Sequence, residues 1–531
     1  MKKILAMILV AMLCIGLVAC KTEKPGNETT NSTSSTQTTA TENPNPPEKK
    51  ILTIARNGDS WDFDPITQDG NPNIWVYLNC WEPLIRTTDD CADVQPALAE
   101  SYDVSTDGLT YTFHMPEGLV FSSGEPVLAE DYVWSYERLL NAPESPWNGY
   151  VGNIKSVEAP DNLTFIVHVF EASPVDIPTF TFFCLVILDK SEIERIGEEA
   201  LHSADGVSGT GPYMFKEWVV NDHVTLVKNP HYRNADSVKV DEITWLVVPD
   251  DNTRIMQLQA GEIDVCEFVP FNRMAELDAA AGIKAIAFDS TEVRDMRLNT
   301  KFDNLKDVNV RKALCMAIDL QAMVDNVTYG IGQAATSILP PGVPYSEQNL
   351  KTVSYDPEAA KQLLADAGYP DGFKLTITVP TGNTVFEQTA TILKDQWSKI
   401  GVDAAIDLLE IGTLREKRGS LQLEVCFNGW LSDIPDPSQE IDYYCVWEVS
   451  KCCFTDWQDV EMEKLIQEAL YEMDTTKRAK LYSEIQQMYY DGFAVFALFY
   501  LPTPVAISDK VTGFVQTPAG EYRFSNLDIS K

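Results

Sequence analysis

The chain has 531 residues, with 41 basic and 79 acidic side chains and a formal net charge of −38 at pH 7. A field this negative repels nucleic acid and anionic lipid and favours cationic or zwitterionic ligands. With 44% hydrophobic and 10% aromatic residues, the chain can build two or three domains with real cores, which excludes a disordered or fibrous protein.

Lys2 and Lys3 precede an apolar run from Ile4 to Ala19 that stops at Cys20. Its 16 residues fall short of the roughly 20 that a spanning helix needs, so an export signal is predicted rather than a membrane anchor. The ending Leu17-Val18-Ala19-Cys20 resembles a bacterial lipoprotein signal, which implies cleavage before Cys20 and a diacylglyceryl group on its thiol. Two acyl chains on one residue would anchor the protein stably. Losing Lys2 and Lys3 leaves 39 basic against 79 acidic residues, a charge of −40. Beyond Cys20, "KTEKPGNETTNSTSSTQTTATENPNPPEKK" carries no large apolar side chain and cannot offset the entropy of ordering. Residues 20–50 are therefore predicted to be a lipidated cysteine plus a disordered tether that holds the body roughly 30 Å from the anchor.

The body begins at Ile51 and mixes two kinds of segment. "LTYTFHMPEGLVFS" and "DNLTFIVHVF" alternate with period two, the signature of half-buried strands. Between 356 and 430 the pattern is α/β. Asp356 is placed to cap a helix with Pro357 at its first position, and Gly368 ends it. A strand "FKLTITVP", a helix from about Asn383 to Lys399, a strand "VDAAIDLLE", a short helix "GTLREKRGS" and a strand "LEVCFNGW" follow. That β-α-β-α-β order predicts a parallel sheet with right-handed crossovers. Two late helices, about 459–473 and 475–490, the second capped by Asp474, lead to an apolar strand "FAVFALFY".

The strand ending in Gly429-Trp430 runs straight into "LSDIPDP", a stiff and acidic turn. Ligands of open α/β sheets bind outside the carboxyl ends of strands, so a crevice is expected there. Nine cysteines remain after Cys14 and Cys20, an odd number. Cys80 with Cys91, or the group Cys445, Cys452 and Cys453, are candidates for disulfides outside the cell. A zinc site is disfavoured because no CxxC pair exists and no histidine lies near the group. Catalysis is disfavoured as well. The five histidines form no HExxH, "GVSGTG" at 206–211 lacks the spacing of a nucleophile elbow, and Asp433 with Asp436 is the kind of acid pair that 79 acids produce by chance.

The segment "PALAESYDVSTDGLTYTFHMPEGLVFSSGEPVLAEDYVWSYERL" (96–139) resembles the signature of family 5 extracellular solute-binding proteins of ABC importers, the oligopeptide- and dipeptide-binding proteins. "GTGPYMFKEW", "LVKNPHYRN", "LQAGEIDV", "LNTKFDNLKDVNVRKALCMAID", "AAKQLLADAGYPDG" and "GW" followed by "PDP" continue the resemblance in the family's order, over essentially 51–531. It implies an α/β, three-domain fold of the periplasmic-binding-protein type, with two lobes joined by a hinge. One lobe would comprise 51–85, 155–290 and 506–531, with a smaller domain inserted at 86–154, and the other lobe 291–505. Ligand would be enclosed by hinge closure.

The resemblance also implies site residues. Asp433 matches an Asp, three residues after the motif's Trp, that pairs with the α-ammonium of a peptide. Backbone clamping of an extended peptide maps to Gly70, Asn71 and Pro72 and to Gly429, Trp430 and Leu431. Trp147 falls where peptide binders place a pocket aromatic, and Arg418 matches a basic position that meets the peptide carboxylate in some members, although a solvated helix end suits it too. Arg294 and Asp295 depart from the family's aromatics near the hinge, and Ile411 stands where a Trp is sometimes found. These charges favour polar ligand groups or bridge the hinge. The implied protein is a monomeric, lipid-anchored receptor on the extracellular face of the membrane that passes peptides to an ABC permease and ATPase complex. It would need no cofactor, metal or nucleic acid. An oligosaccharide or metal chelate as ligand, or a peptide-sensing receptor, are the alternatives.

Overall fold

Apolar runs without alternation form strands buried on both faces. "LTIAR" early in the chain and "VFALFYL" near its end are such runs, and they meet in one large sheet. The computed structural model describes residues 49–68 and 70–530; the expected signal, Cys20 and nearly all of the tether lie outside the described residues. Across the sheet the strands run Asp403–Leu409, Lys374–Pro380, Val425–Trp430, Ile283–Leu298, Val495–Ser508, Val265–Glu267, Ile51–Arg56, Glu242–Val247, His223–Lys228 and Tyr213–Val219. The short strand Gln333–Ala334 joins it on Val495–Ser508.

The late half of the sheet follows the expected β-α-β-α-β order. Lys374–Pro380 pairs in parallel with Asp403–Leu409 on one side and with Val425–Trp430 on the other. The connecting helices are Thr384–Ser398 and Ile411–Gly419. Asn383, Glu410, Asp356 and Asp474 each accept backbone N–H bonds at the start of their helices, contributions of about 1 kcal/mol apiece.

Two long strands bind the halves together. Ile283–Leu298 and Val495–Ser508 run antiparallel from Ile283 opposite Ser508 to Arg297 opposite Val495, and the register breaks between Phe288 and Glu292. On one side of the break, Ile286, Phe288, Val505 and Ile507 pack into the first core, with Trp81 and Trp245. On the other, Met296, Leu298, Phe496 and Leu498 pack into a second core around Trp397. The ladder therefore passes from one core to the other near this shift; a second one lies between Arg294 and Asp295.

A separate four-stranded sheet, Ser101–Val104, Thr110–His114, Thr164–Val169 and Ile154–Asp161, shows the alternation read from the sequence. Phe113, Phe165 and Val167 point inward, and Tyr132 and Tyr136 of the helix Ala129–Leu140 pack on Phe165. The expected limit of the insertion at 154 falls at the start of the hairpin 154–169 of this sheet. The hairpin 154–169 completes the small sheet by pairing along Thr110–His114, which would otherwise present an open edge. The candidate disulfides are corrected, since all nine cysteines from Cys80 to Cys453 carry free, buried thiols.

Candidate functional site

The strand Val425–Trp430 changes character along its length. Val425 and Cys426 are paired on both sides, by Ile377 and Thr378 and by Leu298 and Arg297. From Phe427 to Trp430 only the strand Ile283–Leu298 pairs with it, so its other edge is open. Gly429 is required here because a Cβ would lie 2.8 Å from Arg294 Nη1 and 2.9 Å from the Val293 carbonyl oxygen. Trp430 stacks on Tyr443 with ring centroids 4.0 Å apart, and its buried Nε1–H has no hydrogen-bond partner among the described residues. Leu431 packs, half-buried, against the first core.

The acidic turn that follows separates its two acids by chemistry. Asp436 is buried, accepts from Arg478 Nη1 at 2.6 Å and caps the helix Ser438–Cys445 through the Ser438 N–H at 2.9 Å. It is a structural residue. Among the described residues Asp433 meets no cation, and its only side-chain partner is neutral: Gln439 Nε2 donates to Asp433 Oδ2 at 2.8 Å, and the Asp433 N–H donates back to Gln439 Oε1 at 3.0 Å. Burial pushes the Asp433 carboxyl up to about 7; the Gln439 bond opposes the rise and Glu521 adds to it.

Beyond the turn lies a cavity of about 290 Å³. Ile434, Gln439 and Asp442 line one side, and Tyr150, Asp176 and Phe182 the other. Asp442 has its Oδ1 sealed from solvent and unpartnered, and burial, with Asp436 adding to it, pushes its carboxyl up to about 7. Burial first, then the charges of Asp442 and Asp433, raise the Tyr150 hydroxyl far above its ordinary value. Neither Asp442, Gln439 nor Tyr150 was singled out from the sequence. Gln439 and Asp442 stand three residues apart on one helix, a spacing that puts both on the face toward Asp433.

The remaining expected residues are placed otherwise. Gly70, Asn71 and Pro72 form the cap and first turn of the helix Asn71–Tyr77, not an extended clamp. The Pro72 carbonyl is taken by Arg56 Nη1 and Ser60, and the Gly70 carbonyl by the N–H groups of Asn73 and Ile74. Trp147 does not line the cavity; its Nε1–H donates to the Gln68 carbonyl at 2.7 Å and its ring meets Phe182 and Phe183 edge-on. Asp295 is fully buried, bound by Arg297 Nε and the Tyr444 hydroxyl at 2.7 Å each, so it offers nothing to a ligand. Arg294 pairs with Glu292 and covers Phe386 at 5.2 Å. Ile411 is exposed on the first turn of its helix.

Arg418 is not a solvated helix end. Its guanidinium turns inward, donates to Asn428 Oδ1 and lies 4.9 Å from the Phe454 ring, with Arg297 over the same ring at 5.4 Å. Among the described residues no carboxylate pairs with it and its buried Nε has no partner, and burial and the Arg297 charge lower its pKa. The open strand edge thus runs between an uncompensated cation near Asn428 and an uncompensated anion at Asp433. Among the described residues no group of three or more His, Cys, Asp or Glu is arranged to hold a metal ion.

Residues 93–448 match the profile described as bacterial extracellular solute-binding proteins, family 5. The chain is 26% identical over 474 residues to heme-binding protein A of Haemophilus influenzae, covering 84% of this chain and 86% of that one. It is 28% identical over 450 residues to the glutathione-binding protein GsiB of Salmonella typhimurium, covering 82% and 86%. Among solved structures, the periplasmic binding protein DppA of Helicobacter pylori, in complex with the peptide STSA, superposes with a TM-score of 0.82 at 25% identity, covering 91% of this chain and 98% of that one.

Proposed function

Because the chain belongs to the bacterial extracellular solute-binding proteins of family 5, we propose that it captures peptides as the substrate-binding subunit of an ABC importer. The observation that carries this reading is Asp433, a carboxylate without a counter-cation at the end of an open strand edge. A peptide α-ammonium supplies the missing charge. Breaking such a desolvated pair from one side costs roughly 3 to 5 kcal/mol. The peptide backbone adds a strand to the edge 427–430, which gives affinity with little regard to side chains. Arg418, the uncompensated cation near Asn428, is the partner for the peptide carboxylate and suits a bidentate grip. The peptide bound by DppA and the glutathione of GsiB each carry an amino group and a carboxylate and support the assignment.

Closure follows the ladder of Ile283–Leu298 and Val495–Ser508, with the break at 288–292 as the hinge between one lobe of about 51–85, 155–290 and 506–531, which carries the inserted domain 86–154, and the other of 291–505. The lipidated Cys20 and the tether keep the receptor at the outer face of the membrane, within reach of a permease and ATPase complex. It performs no chemistry on its ligand.

A second reading, a saccharide or metal chelate, draws support from the stacked Trp430 and Tyr443. A tryptophan-fluorescence titration separates the two. The protein, freed of copurified ligand by unfolding and refolding, is titrated with di- to hexapeptides, oligosaccharides and metal chelates. Saturable signals with peptides support the proposal; a response confined to the other classes replaces it.

A further inference from the structure

Asp442 is not used by the site described above. It lines the cavity next to Gln439, on the helix Ser438–Cys445, and no side-chain hydrogen bond or ion pair reaches it among the described residues. The cavity walls contain no lysine, arginine or histidine. The other acid in the wall, Asp176, is already satisfied by the Tyr111 hydroxyl at 2.9 Å, Asn153 Nδ2 at 2.7 Å and the Ser173 N–H at 3.1 Å. Asp442 is half-buried, with Oδ1 sealed from solvent and without a partner, and a partly desolvated carboxylate left unpaired is costly unless something supplies positive charge.

The rest of the wall narrows what that is. Phe180, Phe182, Ile434 and Leu470 supply apolar wall beside polar Asn153, Thr179 and Ser438, so the space is amphipathic, with an unpaired acid at Asp442. Lysine and arginine side chains have this polarity, an alkyl stem with a cationic head. A volume of about 290 Å³ falls at the lower end of small-ligand pockets, enough for one side chain and too little for a whole oligopeptide. Gln439, which holds Asp433, also lines this cavity, so the two anionic positions are neighbours.

We propose that the cavity between Tyr150 and Asp442 is a cation subsite that takes the basic side chain of a peptide whose α-ammonium sits on Asp433, so that the preferred ligands carry lysine, arginine or ornithine at one of their first two positions. This rests on the peptide reading above. Tyr150 lies within the influence of both carboxylates, and Phe182 and Ile434 offer apolar surface to the stem of the side chain.

Calorimetry on the purified full chain tests it with Lys-Ala, Ala-Lys and the same two dipeptides carrying norleucine in place of lysine, on wild type and on Asp442→Asn. The expected result is a preference for lysine over norleucine of at least about tenfold at one of the two positions, collapsing to about twofold or less in Asp442→Asn. Equal affinities at both positions, or a preference that survives Asp442→Asn, overturn the subsite while leaving peptide capture standing. Should neither these dipeptides nor any di- to hexapeptide bind, the peptide reading falls, and 1,5-diaminopentane becomes the probe. Its binding to wild type and loss in Asp442→Asn keeps the cation subsite, whereas no binding overturns both.

Discussion

Asp433 shows how a single unpaired carboxyl links stability to ligand capture. Its pKa of about 7 in the folded protein lies above the ordinary value near 4 of an unfolded chain. The folded state therefore holds the proton more tightly, and this contribution to stability is present below about pH 4 and lost as pH rises through 7. An ammonium favours the ionised form, so peptide affinity should rise from pH 5 to about 7 and then level off, which calorimetry across that range would show. Asp433→Asn should raise the stability of the ligand-free protein at pH 8 by about 1–2 kcal/mol in chemical denaturation while weakening peptide binding at least about a hundredfold. A variant that loses binding without that gain would argue that Asp433 is a structural residue. Asp433 was singled out in the sequence by the resemblance, as the Asp three residues after Trp430, whereas nothing there said what Asp436 does. Only the fold brings Arg478, 42 positions away, onto one of them and not the other. The same limit hid Asp442, whose importance lies in what fails to reach it.

The late βαβ elements were readable because periodicity, caps and terminating glycines agree over 356–430, and each capping acid accepts the backbone N–H bonds that its position implies. "GNPN" was not readable in the same way. Glycine followed within two residues by proline suits an extended turn as well as a helix start, and here the carbonyls are consumed by Arg56, Ser60 and the first turn. Gly429 makes an element-level prediction. Adding a methyl group pushes against Arg294, which can move, and against the Val293 carbonyl, which cannot move without shifting the strand Ile283–Leu298. Gly429→Ala should destabilise the protein by about 1–3 kcal/mol and weaken every peptide alike, since the open edge rather than a side-chain pocket is displaced. A melt unchanged from wild type would mean that the crossing of Arg294 over this strand is not tight.

At the scale of the whole molecule, two large cores are joined by one ladder with a register shift between them, which is where the proposed closure would bend the protein. The register break at 288–292 sits where the second core begins. Closure around a peptide predicts a smaller radius of gyration in small-angle scattering with ligand than without, and no change with an N-acetylated peptide. The alternation of strand-rich and α/β segments foretold the architecture. The extent of the small sheet was hidden, because a hairpin at 154–169 pairs equally well on paper with either sheet, and its partner is chosen by Phe113 and Phe165 meeting across one face. The measurement that bears most directly on the account is calorimetry of one dipeptide and its N-acetylated twin against wild type and Asp433→Asn. The account predicts tight binding of the free dipeptide to wild type alone, with acetylation and the substitution each removing it. Equal binding of the acetylated twin, or undiminished binding by Asp433→Asn, would contradict it.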